Sequence, residues 1–378
     1  MRSSSRGDVD AFIVMDVMEQ ARRLEQSGRS IIHMEVGQPG TPAPKAARVA
    51  LADAMERDAL GYTVALGLPE LRAGIAALYK DWYGVDVDPA RVVVTAGSSA
   101  AFVLAFTALF DAGDAVGVTE PGYPSYRQIL KSLSLTPRAI PTHAADRHVP
   151  QMPHETLAGL IVASPANPTG TMLSKEDLRG LIEQCAATDT AFISDEIYHG
   201  VQYEGRAVSA LEVSDDVYVI NSFSKYFSMT GWRLGWMIVP EDHIRRIERL
   251  AQNMFICAPH AAQIAALGAL SARDETEAML EVYAENRRLM LEGLPKAGFD
   301  KIAPPDGAFY IYADVSELTQ DSLAFAAEIL EQAGVAVTPG LDFDPVRGHT
   351  TLRFSYARAT EDIVEGLRRL TDFMAARG

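Results

Sequence analysis

One lysine in this chain is set where an amine becomes reactive. Lys225 lies between two uninterrupted apolar runs, Val217–Ile220 and Leu234–Val239, inside the segment Asn221-Ser222-Phe223-Ser224-Lys225. An amine at the mouth of an apolar pocket loses its proton readily and can attack a carbonyl, holding an aldehyde as a Schiff base. The hydroxyl of Ser222 and the guanidinium of Arg233, eight residues beyond the lysine, are a neutral donor and a charged fork of the kind a phosphate dianion needs. In isolation Lys225 would read as one more solvated surface charge. Other strand ends in the chain change that reading.

After Val92–Thr95 come Ala96-Gly97-Ser98-Ser99 and then a helical pattern. Small residues at a helix N-terminus let backbone N–H groups approach a phosphate, although Ser98 or Ser99 could equally be a plain N-cap. After Ala115–Thr119, Tyr123 stands between Gly122 and Pro124, where it can stack on a flat ring or merely fill a turn. After Gly159–Ala163, Asn167 is held between Pro165 and Pro168. After Ala191–Ser194 come Asp195-Glu196-Ile197-Tyr198. A carboxylate ending an apolar strand is costly unless paired. A pyridinium nitrogen would pair with Asp195 and Tyr198 could donate to a phenolate oxygen, the competing reading of Asp195 being a helix N-cap. Arg353, inside the strand pattern Thr351–Ser355, suits a carboxylate bidentately or an internal salt bridge. An aldehyde with a phosphate on a flat ring is pyridoxal phosphate (PLP). The chain has neither a G-x-G-x-x-G fingerprint nor a P-loop, and no histidine spacing suggests a metal site.

The elements that must position these residues follow from length and periodicity. At 378 residues the chain exceeds what one core usually serves, so two domains are expected. Hydrophobic content of 48% and charged content of 22% are those of a soluble globular protein. A net charge of -16 argues against nucleic acid or an anionic membrane as partner, so an anionic ligand needs a locally basic pocket. Two cysteines give no disulfide framework and fit a reducing cytoplasm. The N-terminal apolar stretch is broken by Asp16 and has no small-residue cleavage site, so no signal peptide is expected. Ala100 to Phe110 is too short to span a bilayer and reads as a buried helix. Helices are predicted over Val9–Gln26, Lys45–Arg57 and Leu68–Tyr83, with a strand over Ile31–Val36 and a shaped loop over Gly37–Pro44. From Arg91 onward apolar strands alternate with helices, the pattern of a parallel sheet covered on both faces. Helical periodicity returns over Ala261–Leu294. Strand candidates at Phe309–Asp314, Val335–Thr338 and Leu352–Ser355 then read as a smaller α+β unit, with which the N-terminal segment should pack.

Lys225 in SFSKYFSMTGWRLGW, with ASPANPTG, SDEIY and LRFSYA in that order, closely resembles the PLP-dependent class I/II aminotransferases of fold type I. The resemblance runs from VGQPGTPAP and GYTVALGLPELR to the C-terminal motif. It implies an α/β fold with a mainly parallel seven-stranded sheet between helices and a smaller α+β domain. The expected division is an N-terminal segment 1–44, a large domain 45–280 and a small domain 281–378. It also implies roles. Lys225 would carry PLP as a Schiff base and shuttle the proton, Asp195 would pair with the ring nitrogen, and Tyr198 and Asn167 would contact the phenolic oxygen. Tyr123 would stack on the ring, while Ser98, Ser99, Ser222 and Arg233 would hold the phosphate. Arg353, with Gly37 and Asn167, would clamp the substrate carboxylate. Tyr62 would reach the phosphate of a neighbouring subunit, making the active site the property of a homodimer in the cytoplasm. The implied reaction moves an amino group from an L-amino acid, aspartate among the candidates, to a 2-oxo acid by a ping-pong route. A PLP-dependent β-lyase on the same scaffold is the alternative, and a PLP-binding regulator a remote one. Two features depart from the family. Ser99 stands where some aspartate-specific members carry a lysine, and Asp342 and Asp344 stand where relatives usually have small residues.

Overall fold

Strands of four to six residues, almost every one buried, can be satisfied only inside a sheet covered on both faces. A computed structural model describes residues 1–377. In chain order its elements are α1 (Ile13–Gln26), β1 (Ile32–His33), α2 (Lys45–Met55), α3 (Pro69–Tyr83), β2 (Val92–Thr95), α4 (Gly97–Leu109), β3 (Ala115–Glu120), α5 (Pro124–Ser132) and β4 (Thr136–Pro141). There follow β5 (Gly159–Ala163), α6 (Lys175–Ala187), β6 (Ala191–Asp195), β7 (Tyr218–Ser222), β8 (Gly235–Ile238), α7 (Ile244–Met254), α8 (His260–Leu270) and α9 (Arg273–Lys296). The chain closes with β9 (Lys301–Ile302), β10 (Tyr310–Asp314), α10 (Ser322–Ala333), β11 (Val335–Ala336), β12 (Thr338–Pro339), β13 (Thr351–Ser355) and α11 (Thr360–Arg377).

The larger sheet has seven strands in the order β2-β8-β7-β6-β5-β3-β4, parallel except for β8, which runs antiparallel to both neighbours. Alternate residues feed two cores. Val94, Val162, Phe192 and Trp236 enter one, and Val93, Ile161, Ile193 and Met237 the other. Helix α4 is buried nearly all round, as its apolar composition requires. Registers Ala163↔Asp195 and Asp195↔Ile220 bring the carboxyl ends of β5, β6 and β7 level, so their following loops meet over one edge. In open α/β sheets that edge is where ligands bind.

The smaller sheet, β12-β13-β10-β9, is antiparallel and pairs Arg353 with Tyr312 and Thr338. The parallel pair β1–β11 ties the N-terminal segment to this part of the chain. Residues 34–37 continue from β1 beside β13, where Ser355 donates its N–H to Met34 O at 2.7 Å.

Three expectations are corrected. β4 was not foreseen, because Pro137, Arg138 and Pro141 hide the strand pattern; prolines are tolerated here because β4 is an edge. Helix α1 starts at Ile13 rather than Val9, since Asp10 is tied down as an extended arm by Gln128 and Lys131. The helical stretch beyond Ala261 is two helices, broken at Ser271 and restarted with Asp274 and Glu275 in the first turn of α9. Among the described residues no helix is long and apolar enough to cross a membrane.

Ile193, fully buried two residues before Asp195, is part of what holds that strand end. Ile193→Ala is expected to cost about 2–5 kcal/mol, read as a lowered midpoint in denaturant unfolding.

Candidate active site

β6 ends on Asp195, a carboxylate only 3% exposed. Oδ2 accepts the Tyr126 hydroxyl and Oδ1 accepts the Ile197 N–H at 3.0 Å. Burial raises its pKa from 3.8 to about 6, against the lowering pull of Tyr126, Ile197 and Lys225. No helix follows β6, so Asp195 is not an N-cap. It forms no ion pair among the described residues, which leaves a buried acid at the floor of a cavity in need of a cation.

β7 runs two residues further than expected, to Ser222, and Phe223 then packs fully buried against Trp236, ring centroids 5.0 Å apart. That anchor presents Lys225 half-buried to the cavity. Its Nζ donates to Gly37 O at 2.6 Å and lies 5.5 and 5.8 Å from the ring centroids of Tyr198 and Phe309. Burial first, then the positive charges of Arg353 and Arg233, lower the amine from 10.5 to about 7, with Asp195 opposing. A lysine in this state is a nucleophile and a proton carrier at neutral pH.

Opposite stands Arg353 from β13, buried, its Cζ 4.2 Å from the ring centroid of Tyr310 and 4.7 Å from that of Phe343. It donates to Asn167 Oδ1 at 2.9 Å, to Thr338 Oγ1 at 3.3 Å and to the Glu35 carbonyl, while Nε has no partner. No carboxylate neutralises it among the described residues, so the internal salt bridge considered for it is not what the structure has. Gly37 is a glycine by necessity, since a Cβ there would overlap the Tyr310 hydroxyl.

The cavity between these groups measures about 170 Å³ and is lined by Gly37, Ser98, Tyr123, Asn167, Asp195, Tyr198, Lys225 and Arg353, among others. Three expected residues are placed differently. Ser99 is exposed and does not line the cavity; neither it nor Ser98 caps α4, which has no side-chain cap. The Ser222 hydroxyl is turned to Ser224 Oγ at 2.7 Å and Leu234 O at 3.2 Å. Tyr62 is 83% exposed on this chain and does not line the cavity. Arg233 lies at the N-terminus of α4, where a Cβ on Gly97 would come within 2.6 Å of Nη2. It holds a left-handed φ of 54°, a strained state that persists only when surroundings demand it. Among the described residues it has no carboxylate partner, and its Nη1 donates to Thr230 O at 3.0 Å.

The sequence reading missed four contributors. Tyr310 pairs its hydroxyl with that of Tyr198 at 2.6 Å; a tyrosine at the start of a buried strand was the available signal. Tyr126 follows Tyr123 by three at the start of α5 and so shares its face. Phe12 and Val14 line the cavity from the N-terminal arm, for which no local pattern existed.

This is the site of an open α/β enzyme that handles amines and carboxylates together. The sequence matches the family of class I and II aminotransferases over residues 29–370, and the chain belongs to that family. It is 46% identical to the valine–pyruvate aminotransferase of Mycobacterium tuberculosis, over 100% of this chain and 99% of that protein. A crystal structure of an aminotransferase from Mycobacterium tuberculosis is similar with a TM-score of 0.97 at 45% identity, covering 100% of both chains. The aspartate aminotransferase of Thermus thermophilus is similar with a TM-score of 0.91 at 31% identity, over 98% of this chain and 100% of that one. The protein is thus a PLP-dependent aminotransferase acting on amino acids and 2-oxo acids, as the motifs implied. The residues present fit that cofactor: an unpaired buried acid, an amine titrating near neutrality and an unneutralised arginine over a helix N-terminus.

With the cofactor removed, Lys225 should react with amine-directed reagents along a titration curve centred near 7. Because the unfolded chain keeps a proton that the folded one has released, this group makes stability rise with pH from about 7 to about 10.5. Lys225→Met should remove both effects; labelling that sets in only near pH 10 would contradict the assignment.

Proposed function

We propose that Lys225 is the amine that carries PLP and moves the proton of the reaction, and that the preferred amino donors have apolar side chains. The observation carrying this reading is the near-neutral Lys225 amine facing a cavity with Asp195 on one side and Arg353 on the other. When bound, PLP supplies an aldehyde that reacts with amines and a ring that accepts the electrons of a bond broken at the substrate Cα. Lys225 Nζ takes the Cα proton as general base and returns it as general acid. Asp195 keeps a proton on the ring nitrogen by charge pairing. Tyr198 and Asn167 orient the phenolic oxygen, and Tyr123 covers the ring face. Ser98 and Arg233 would hold the phosphate, and Ser99 and Ser222, also in the expected set, would join it only by turning toward it. Arg353 binds the α-carboxylate, and Gly37 leaves room beside it.

Donor choice rests on the remaining wall. Phe12, Val14, Met15 and Val36 are apolar, and the cations lining the cavity are Lys225 and Arg353, both already engaged. Among this chain's own lining residues a second substrate carboxylate meets no free fork, which disfavours aspartate; the similarity to a valine–pyruvate aminotransferase points the same way.

The active form we infer is a cytoplasmic homodimer. Tyr62, Val64, Met254 and Ile256 are exposed, and the loop bearing Tyr62 is tied to the next segment by His260 Nδ1 with Gly61 O at 2.8 Å and Gln263 Nε2 to Thr63 Oγ1 at 3.0 Å. This surface would carry Tyr62 to the partner's phosphate site. Residues 1–44 and 281–378 belong together as the smaller domain against 45–280, a division that the β1–β11 pair supports.

The test is an absorbance titration of the holoenzyme with single amino acids. Valine or leucine should bleach the cofactor's visible band and a 2-oxo acid should restore it, while Lys225→Ala shows neither change. Ammonia released without any acceptor would favour the β-lyase instead. Arg353→Lys should raise KM for the donor about tenfold or more, the loss of roughly 1.4 kcal/mol, with kcat less affected; an unchanged KM would remove Arg353 from carboxylate binding.

A further inference from the structure

The wall that faces the substrate side chain has an unusual support. Helix α1 begins at Ile13 with Phe12 as N-cap, and no side chain of its own segment caps it. Its exposed first N–H groups are met instead by a carboxylate 329 positions along the chain: Asp342 Oδ1 accepts from Ile13 N at 3.0 Å. Asp342 Oδ2 accepts from Val14 N at 3.2 Å, so both oxygens are engaged. The negative charge also suits the helix N-terminus. Asp342 is 3% exposed and forms no ion pair among the described residues, whereas Asp344, the other unexpected acid, is paired with Arg347 at 2.7 Å.

The loop that carries Asp342 is itself fixed. Arg127, buried, donates to Asp342 O at 3.0 Å and to Phe343 O at 3.1 Å, and Phe343 packs against the Arg353 guanidinium. On the other side of Phe12, Asp10 is held by Gln128 Nε2 at 3.0 Å and Lys131 Nζ at 2.8 Å. Phe12 is therefore strung between two anchors, edge-on to Tyr123 with ring centroids 6.0 Å apart. Phe12, Val14 and Met15 reach the cavity, and Asp342 does not line it.

We propose that Asp342 is a positioning residue for donor specificity: by clipping the start of α1 it holds Phe12, Val14 and Met15 as the wall that receives the donor's apolar side chain. This rests on the aminotransferase reading of the cavity and adds how its selectivity is set. Asp342 touches no reacting atom, so its removal acts on discrimination rather than on proton transfer.

The experiment compares wild-type holoenzyme with Asp342→Ala, Asp342→Asn and Phe12→Ala. For each, kcat/KM is measured with alanine, valine and leucine, and amide hydrogen exchange is followed over residues 10–16. Asp342→Ala should lower kcat/KM for valine and leucine tenfold or more, alanine less than about threefold, and Phe12→Ala should act in the same sense. Exchange at Ile13 and Val14 should speed up at least tenfold in Asp342→Ala. Asp342→Asn keeps one good acceptor and should fall between; it decides the matter should the alanine variant not fold. An equal loss for all three donors, or unchanged exchange at Ile13 and Val14, overturns the proposal. A wild-type enzyme that transaminates none of these donors defeats the apolar-donor reading instead, and the exchange data still decide whether Asp342 is the clip.

Discussion

Bringing the titration of one ammonium group down to about neutral pH is the constraint on which this site depends. Water must be withheld from Lys225 Nζ, and like charge must be near enough to oppose its proton without ejecting the side chain. Burial is the largest cause of the shift, Arg353 and Arg233 add to it, and Asp195 opposes them. The arrangement also explains how a chain of net charge -16 receives anions. Arg353 at the cavity, Arg233 beside Gly97 and the partly protonated Lys225 surround one buried carboxylate, which makes the pocket locally basic in an acidic molecule.

The charge balance holds only because a second acid beside the site is kept out of it. Asp195 and Glu196 are neighbours at a strand end and so point to opposite sides. Glu196 is turned away into a buried polar nest, where Ala210 N at 2.8 Å and Ser209 Oγ at 3.0 Å meet its carboxyl. Burial raises it to about 8, beyond what those donors offset. At neutral pH Glu196 is therefore mostly protonated while Asp195, near 6, is mostly charged. Asp195 is then the charged carboxylate that lines the cavity with Lys225 and Arg353. Behind it His199 is held neutral by burial, bonded to Tyr83 OH at 2.6 Å and Ser164 O at 2.8 Å, which adds no positive charge.

What could be read from the sequence was whatever lies at the end of an apolar strand. Asp195, Asn167, Lys225 and Arg353 stand at such ends or within such strands, and burial makes each conspicuous because a charged or amide group there must have a partner. The structure brings them together around one cavity. The fold class was legible for the same reason, since strands buried on both faces imply their covering helices. β4 escaped because an edge strand need not be apolar, and α1 was placed too early because helical periodicity does not report a tether. Ser222 illustrates a finer limit: its position was clear, but which way a hydroxyl turns depends on Ser224 and the Leu234 carbonyl.

The least legible part is also the part held by ties from distant segments of the chain. Asp195 and Arg353 rest on strands fixed by a ladder of hydrogen bonds and a packed core, and Lys225 on the turn after β7 that buried Phe223 anchors. Phe12 and Met15 rest on the start of a helix, held by two bonds to Asp342 and an outer tie at Asp10. An aminotransferase must admit two different side chains in turn, those of its donor and of its acceptor, over the same carboxylate clamp and the same amine. A fixed floor with a wall hung on a few bonds meets both demands. The chemistry needs positions held closely, and the side-chain wall is set separately, by the bonds that clip the start of α1.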